Sequence, residues 1–373
     1  MFAMSRRRRT AVAAARLRAA QCAVIEGETG VSGLLQRLLA ERDWLIADGA
    51  TGTNLFDAGL MHGDAPEMWN LDAPEKIAAH YRSFIDAGSD IVLTNSFGGT
   101  ANRLKLHGLQ DRVVEINRIA ASILADEIAA SGRTVVCAGS VGPTGDLFQP
   151  VGPLSFEDGV ASFVEQITGL RDGGADVAWI ETMSAEIEVQ AAAEAARRVG
   201  LPALVTLSFD TNGRTMMGVT PGRLVEMVHT MPAGSLVAFG ANCGTGASDL
   251  LAGLLSARDD LGPNDVWIIK ANCGIPEYLN GKICYNGTPQ VMADYAVMAR
   301  DMGARIIGGC CGTTPNHIRV MREALETRPA GAPPGLDDVI TRIGPLTGTT
   351  ATLFDAPATV EATTPDRPRR RRR

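Results

Sequence analysis

The chain has 373 residues, a formal net charge of −7, and 45% hydrophobic and 21% charged residues. That balance fits a soluble enzyme with a large core, and the absence of a basic stripe along its body excludes nucleic acid as the partner. No apolar run is long enough to span a bilayer, and seven cysteines in mostly apolar contexts point to a reducing cytoplasm with free thiols rather than to a disulfide framework.

In chain order, residues 1–40 open on Arg6-Arg7-Arg8-Arg9 and run on in Ala and Arg. They read as a flexible extension with one short helix around Leu34–Glu41. Residues 41–328 then alternate short β-branched runs with Ala- and Leu-rich segments of helical period, the pattern of a parallel sheet covered by helices. The predicted strands are Trp44–Asp48, Asp90–Thr94, Thr134–Gly139, Asp176–Ile180, Ala203–Ser208, Ser235–Gly240, Asp265–Lys270 and Ala304–Gly308. A helix follows each, for example Pro74–Ala87 after the first and Pro315–Thr327 after the last. Eight consecutive units over roughly 290 residues match a (β/α)8 TIM barrel. A doubly wound open sheet is the rival, but no G-x-G-x-x-G string follows the first strand. Residues 329–373, rich in Pro, Thr and Gly and closing on Arg369–Arg373, read as a disordered tail.

The chemically unusual residues fall at the strands' C-terminal ends: Asp48-Gly49, Thr94-Asn95-Ser96-Phe97, Gly142-Pro143, Glu181-Thr182, Asn242-Cys243 and Cys310-Cys311. In a barrel these ends meet at one mouth. Cys310 and Cys311, turned by Gly308-Gly309 and Gly312, can each give a thiolate to one ion. Cys243 lies two strands away and reaches the same point. Three sulfurs with one open position form a catalytic rather than a structural Zn2+ arrangement. Cys273, at the end of the seventh strand between these positions, stays open as a fourth candidate. Cys137 reads as core, and Cys22 and Cys284 as incidental tail or loop residues. A phosphate cradle over Gly308–Thr314 is the rival use of the last turn. A substrate thiol entering the fourth position would lose its proton and stay nucleophilic, ready for an activated methyl group. Glu181 can take the ammonium of an amino-acid substrate, and backbone N–H groups around Gly49 and Gly139–Gly142 its carboxylate. Trp69, Trp179 and Tyr285 can face a quaternary ammonium.

The strings Asp48-Gly49-Ala50-Thr51-Gly52-Thr53, Thr94-Asn95-Ser96-Phe97-Gly98, Gly142-Pro143-Thr144-Gly145, Asn242-Cys243-Gly244 and Gly308-Gly309-Cys310-Cys311-Gly312-Thr313-Thr314-Pro315 resemble those of the homocysteine S-methyltransferase family. The resemblance covers about residues 43–327. It implies zinc on Cys243, Cys310 and Cys311, with homocysteine held by Asp48, Gly49, Thr94, Phe97 and Glu181, and methionine as product. It leaves Cys273 outside the ligand set and makes Asn272 a transient fourth ligand in the absence of substrate. The animal betaine enzymes of the family carry tyrosines where this chain has Gly98 and Thr182, as in the methionine-synthase-like branch. The expected methyl donor is betaine first, S-methylmethionine or another sulfonium second, and a separate methyl-corrinoid protein third. A non-catalytic zinc- or thiol-sensing barrel is the alternative of another class.

Overall fold

The computed structural model describes residues 33–350 except 62, 275, 280, 281, 348 and 349; Cys22 and both terminal arginine runs lie outside the described residues. Eight parallel strands form the central sheet: β1 (Leu45–Ile46), β2 (Ile91–Leu93), β3 (Val136–Val141), β4 (Val177–Met183), β5 (Ala203–Leu207), β6 (Ala238–Cys243), β7 (Trp267–Ala271) and β10 (Ile306–Gly309). Their order is β1-β10-β7-β6-β5-β4-β3-β2. A bridge from Ala47 to Ile91 joins the two ends, with Asp90 N–H donating to the Ile46 carbonyl at 2.7 Å. The sheet closes into the predicted barrel, with strand ends shifted by up to three residues from their expected places.

One pair of strands was not expected. β8 (Pro276–Leu279) and β9 (Lys282–Tyr285) form an antiparallel hairpin in the connection that follows β7. Cys284 therefore sits on a strand, not in a loop. The sequence carries a signal for it, since Asn-Gly between two short β-prone runs is a favoured hairpin dipeptide.

Period-two alternation sorts each strand's side chains between two cores. Leu45, Ala47, Ile91, Leu93, Val136, Ala138, Val177, Trp179, Leu204, Ala238, Ile268 and Ile306 face one another inside the barrel. Their neighbours, such as Ile46, Val92, Cys137, Ile180, Val205, Phe239, Ile269 and Ile307, pack outward against the helices. Along each strand the inward series turns polar toward the C-terminal end: Val136, Ala138, then Ser140; Val177, Trp179, then Glu181; Ile268, then Lys270.

The chain on both sides of the expected barrel boundaries is packed against it. Helix Leu34–Glu41 presents Leu35, Leu38 and Leu39 to the inner core and plugs the barrel floor. Arg305, at the foot of β10, donates to the carbonyls of Leu39, Arg42 and Asp43 at 2.5–2.8 Å, a cation on the helix's negative end. Past residue 328, helix Leu336–Arg342 buries Val339 completely and lies against helix Ala247–Leu255. Thr347 donates to Asp249 through N–H at 3.0 Å and through its hydroxyl at 2.9 Å. The barrel unit thus runs from about residue 34 to 347, wider than 41–328. Pro- and Thr-rich composition hid a short amphipathic turn whose apolar residues, Leu336, Val339, Ile340 and Ile343, keep helical spacing. No helix among the described residues is long and apolar enough to cross a membrane.

Candidate metal and substrate site

The Sγ atoms of Cys243, Cys310 and Cys311 lie within 4.8 Å of one another at the barrel mouth. They arrive by two local devices. Cys243 ends β6 with φ 64°, a left-handed conformation that costs a residue bearing a Cβ about 1–2 kcal/mol. Cys310 and Cys311 follow β10 and are turned by Gly312 at φ 77°, where any side chain would strike the Tyr285 ring. Asn272 ties the two turns together: its amide donates to the Gly244 carbonyl at 2.6 Å and its oxygen accepts from Cys311 N–H at 3.0 Å. Tyr285 hydrogen-bonds Cys311.

Without a metal the three thiols crowd one another. Cys310 is pushed up first by its hydrogen bond to Cys243, against an opposing bond from Cys311, with burial adding. Cys243 reaches about 12: its bond to Cys310 pulls down, while its bond to Cys311 and burial outweigh that. Three sulfurs this close can all reach one ion at a Zn–S distance of about 2.3 Å, so the donor set fits zinc. Cys273 does not join them. Its thiol donates to the Gly287 carbonyl at 2.9 Å and lies 3.3 Å from His317 Nε2. Cys137 is buried, as expected.

A cavity of about 430 Å³ opens above the cysteines, lined among others by Gly49, Thr94, Phe97, Ser140, Glu181 and Lys270. Glu181 follows Trp179 on the inward face of β4, where the register shifts between Ile180 and Met183 with Thr182 at φ 60°. Asn242 holds that irregularity: its oxygen accepts from Thr182 N–H at 2.9 Å and its amide donates to the Thr182 hydroxyl at 2.7 Å. Ser140 donates to Glu181 at 2.5 Å. The Ser140 N–H is held by Thr94 Oγ1 at 2.9 Å, so Thr94 braces the wall as well as lining it. Burial raises the Glu181 carboxyl above its ordinary range, against the pull of Lys270 and Ser140.

Asp48 lies behind this wall rather than on it. It is 1% exposed, with one oxygen on Lys270 Nζ at 2.7 Å and the other accepting from Leu93 N–H at 2.8 Å. The group that meets the cavity is Lys270, which had been read only as the end of a strand. The N–H groups of Ser140 and Gly142 are bonded to Thr94 and to the Phe97 carbonyl, which leaves Gly49 as the glycine-rich stretch on the cavity wall. Of the aromatic rings expected to face a donor, Trp69 is covered by Lys76 at 4.2 Å and Trp179 by Lys270 at 5.1 Å. Instead Phe56 and Phe97 line the outer cavity with Glu67. Glu67 accepts from Gly98 N–H at 2.6 Å, and a side chain at Gly98 would meet its carboxylate.

A family model described as homocysteine S-methyltransferase matches residues 45–325. The chain belongs to that family. Methionine synthase of Mycobacterium leprae is 28% identical over 309 residues, 78% of this chain and 25% of that protein. Methionine synthase of Mycobacterium tuberculosis is 27% identical over 299 residues, 75% of this chain and 24% of that protein. The chain thus spans about a quarter of the length of these curated relatives. Among solved structures, the metallated form of the homocysteine methyltransferase MmuM from Escherichia coli superposes with a TM-score of 0.65 at 24% identity, over 78% of this chain and 99% of that one. At that identity the likeness speaks for the fold, and the family match accounts for the mouth motifs, which all fall inside it.

Proposed function

We propose that this chain transfers a methyl group to the thiol of homocysteine and releases methionine, with zinc held by Cys243, Cys310 and Cys311. The observation that carries the reading is the convergence of three thiols at the foot of a cavity whose wall bears the Glu181 carboxylate. Zinc, when bound, would supply deprotonation of an entering thiol at neutral pH. The chain's own residues do the rest. Glu181, braced by Ser140 and Asn242, receives the substrate's ammonium. Asn272 and Tyr285 hold the cysteine turns, and the cavity walls keep bulk water from the reacting sulfur.

A small onium is our reading for the methyl source, betaine first and a sulfonium second. It is supported by the Phe56 and Phe97 rings and the Glu67 carboxylate in the outer cavity. A second reading has the methyl group arrive on a corrinoid protein. It is favoured by a rim of exposed apolar side chains on the loops after β1, β2, β3 and β5: Met61, Leu106, Leu147, Val151 and Met216, the last 73% exposed.

The test is methionine formation by zinc-loaded protein from homocysteine, with betaine, S-methylmethionine or a methylated corrinoid protein each as sole donor. Turnover with one of them identifies the donor. Homocysteine binding without turnover from any would support a sensing barrel, and no binding of homocysteine would remove the acceptor itself.

A further inference from the structure

Lys270 is 2% exposed, yet its ammonium borders the cavity. An ammonium has three N–H donors. One is held by Asp48 at 2.7 Å, and Lys270 has no other hydrogen-bond partner among the described residues. Below it lies the face of Trp179, which gives no anchor beyond cation–π attraction. Its electrostatic neighbours are Asp48, Glu181 and Cys310. The other basic groups lining the cavity, Arg103 and His107, come from the segment after β2, beside the exposed Leu106. Among the described residues, Lys270 is therefore the one cation on a barrel strand where two carboxylates and the cysteine sulfurs approach each other. A buried pair with only a packing role is replaced by apolar residues at little cost; nothing in packing requires this pair to face a cavity.

We propose that Lys270, fixed by Asp48, is a positioning residue whose counter-charge lets the Glu181 carboxylate and the cysteine thiolates share one dry cavity, and so keeps Glu181 ready for the substrate's ammonium. The assignment rests on homocysteine being the acceptor. It also changes the part played by Asp48, which acts through Lys270 and does not touch the substrate.

The test is a double-mutant cycle on the cobalt-loaded full chain, read by the visible bands of the metal as cobalt and then homocysteine are titrated. The D48N/K270Q pair removes both partners of the buried ion pair together, and D48N/K270M serves if the polar pair does not fold. Each should raise the homocysteine Kd about 30-fold. E181Q should do the same, and E181Q combined with the pair should bind no worse than about threefold beyond E181Q alone, because both act on one ammonium. Multiplying losses, or a pair variant that binds homocysteine like the unaltered protein, would overturn the proposal. If the unaltered cobalt protein binds no homocysteine, the acceptor reading fails separately. The counter-charge is then judged on cobalt affinity: about tenfold weaker binding in the pair variant sustains it, and unchanged affinity overturns it.

Discussion

The two ends of the barrel interior are built from the same strands on opposite rules. At the floor, Leu45, Ile91, Val136, Val177 and Ile306 close around a leucine-bearing helix, with backbone in ordinary conformations and charge kept to the edge. At the mouth, two inward positions further along, the strands hold Ser140, Glu181, Asn242 and Lys270, Thr182 and Cys243 sit at positive φ, and three thiols crowd together. The floor gathers apolar burial, and the mouth holds groups that would destabilise any other interior. Stability and chemistry are thereby separated by about 13 Å of strand.

The sharpest break of that separation is Cys310→Ser. Methionine formation should fall at least about 1000-fold, with zinc content near zero by metal analysis and the melting temperature of the metal-free protein unchanged. At the other end, Leu35→Ala removes a fully buried floor side chain. It should cost about 3 kcal/mol in denaturant unfolding while zinc affinity and the KM for homocysteine stay as they were. A floor variant that altered KM would show the two ends to be coupled.

The barrel's flank gives a third, pH-dependent contrast. His80, on helix Pro74–Asp86, packs edge-on to Phe84 with Nε2 lacking a partner among the described residues, and burial lowers it from 6.5 to about 4. The folded state thus binds fewer protons than the unfolded one between those values. Its penalty is absent above about pH 6.5, grows as pH falls, and is complete below about pH 4, at about 3 kcal/mol. His80→Phe should flatten the acid limb of the stability curve by that amount, measured by urea unfolding from pH 7 to 4. The smallest effect is expected at the surface. Arg198, paired with Glu157 and Glu194 at 2.7–3.1 Å, is exposed, and Arg198→Ala should leave the melting temperature unmoved.

What could be read in advance follows the same division. Strand alternation and the Gly-Gly-Cys-Cys-Gly turn are local patterns, so the barrel and the three thiols were legible. The pairing of Asp48 with Lys270 joins residues 222 positions apart, and a lysine at the end of an apolar strand carries no local mark of facing inward. Asn242 was visible beside Cys243, but its hold on Thr182 depends on an irregularity in a different strand. Past residue 328 the anchors are Val339 and the bonds from Thr347 to Asp249, too few side chains for composition to register.

The helix under the barrel has a kinetic consequence. Among the described residues, Leu35 and Leu38 stopper the floor and Arg305 latches the helix in place, so the cysteines are approached from the mouth. Whatever docks at the cysteines must enter before its co-reactant and leave after it. An inert mimic of the outer reactant should then inhibit uncompetitively toward the inner one, and a mimic of the inner reactant competitively.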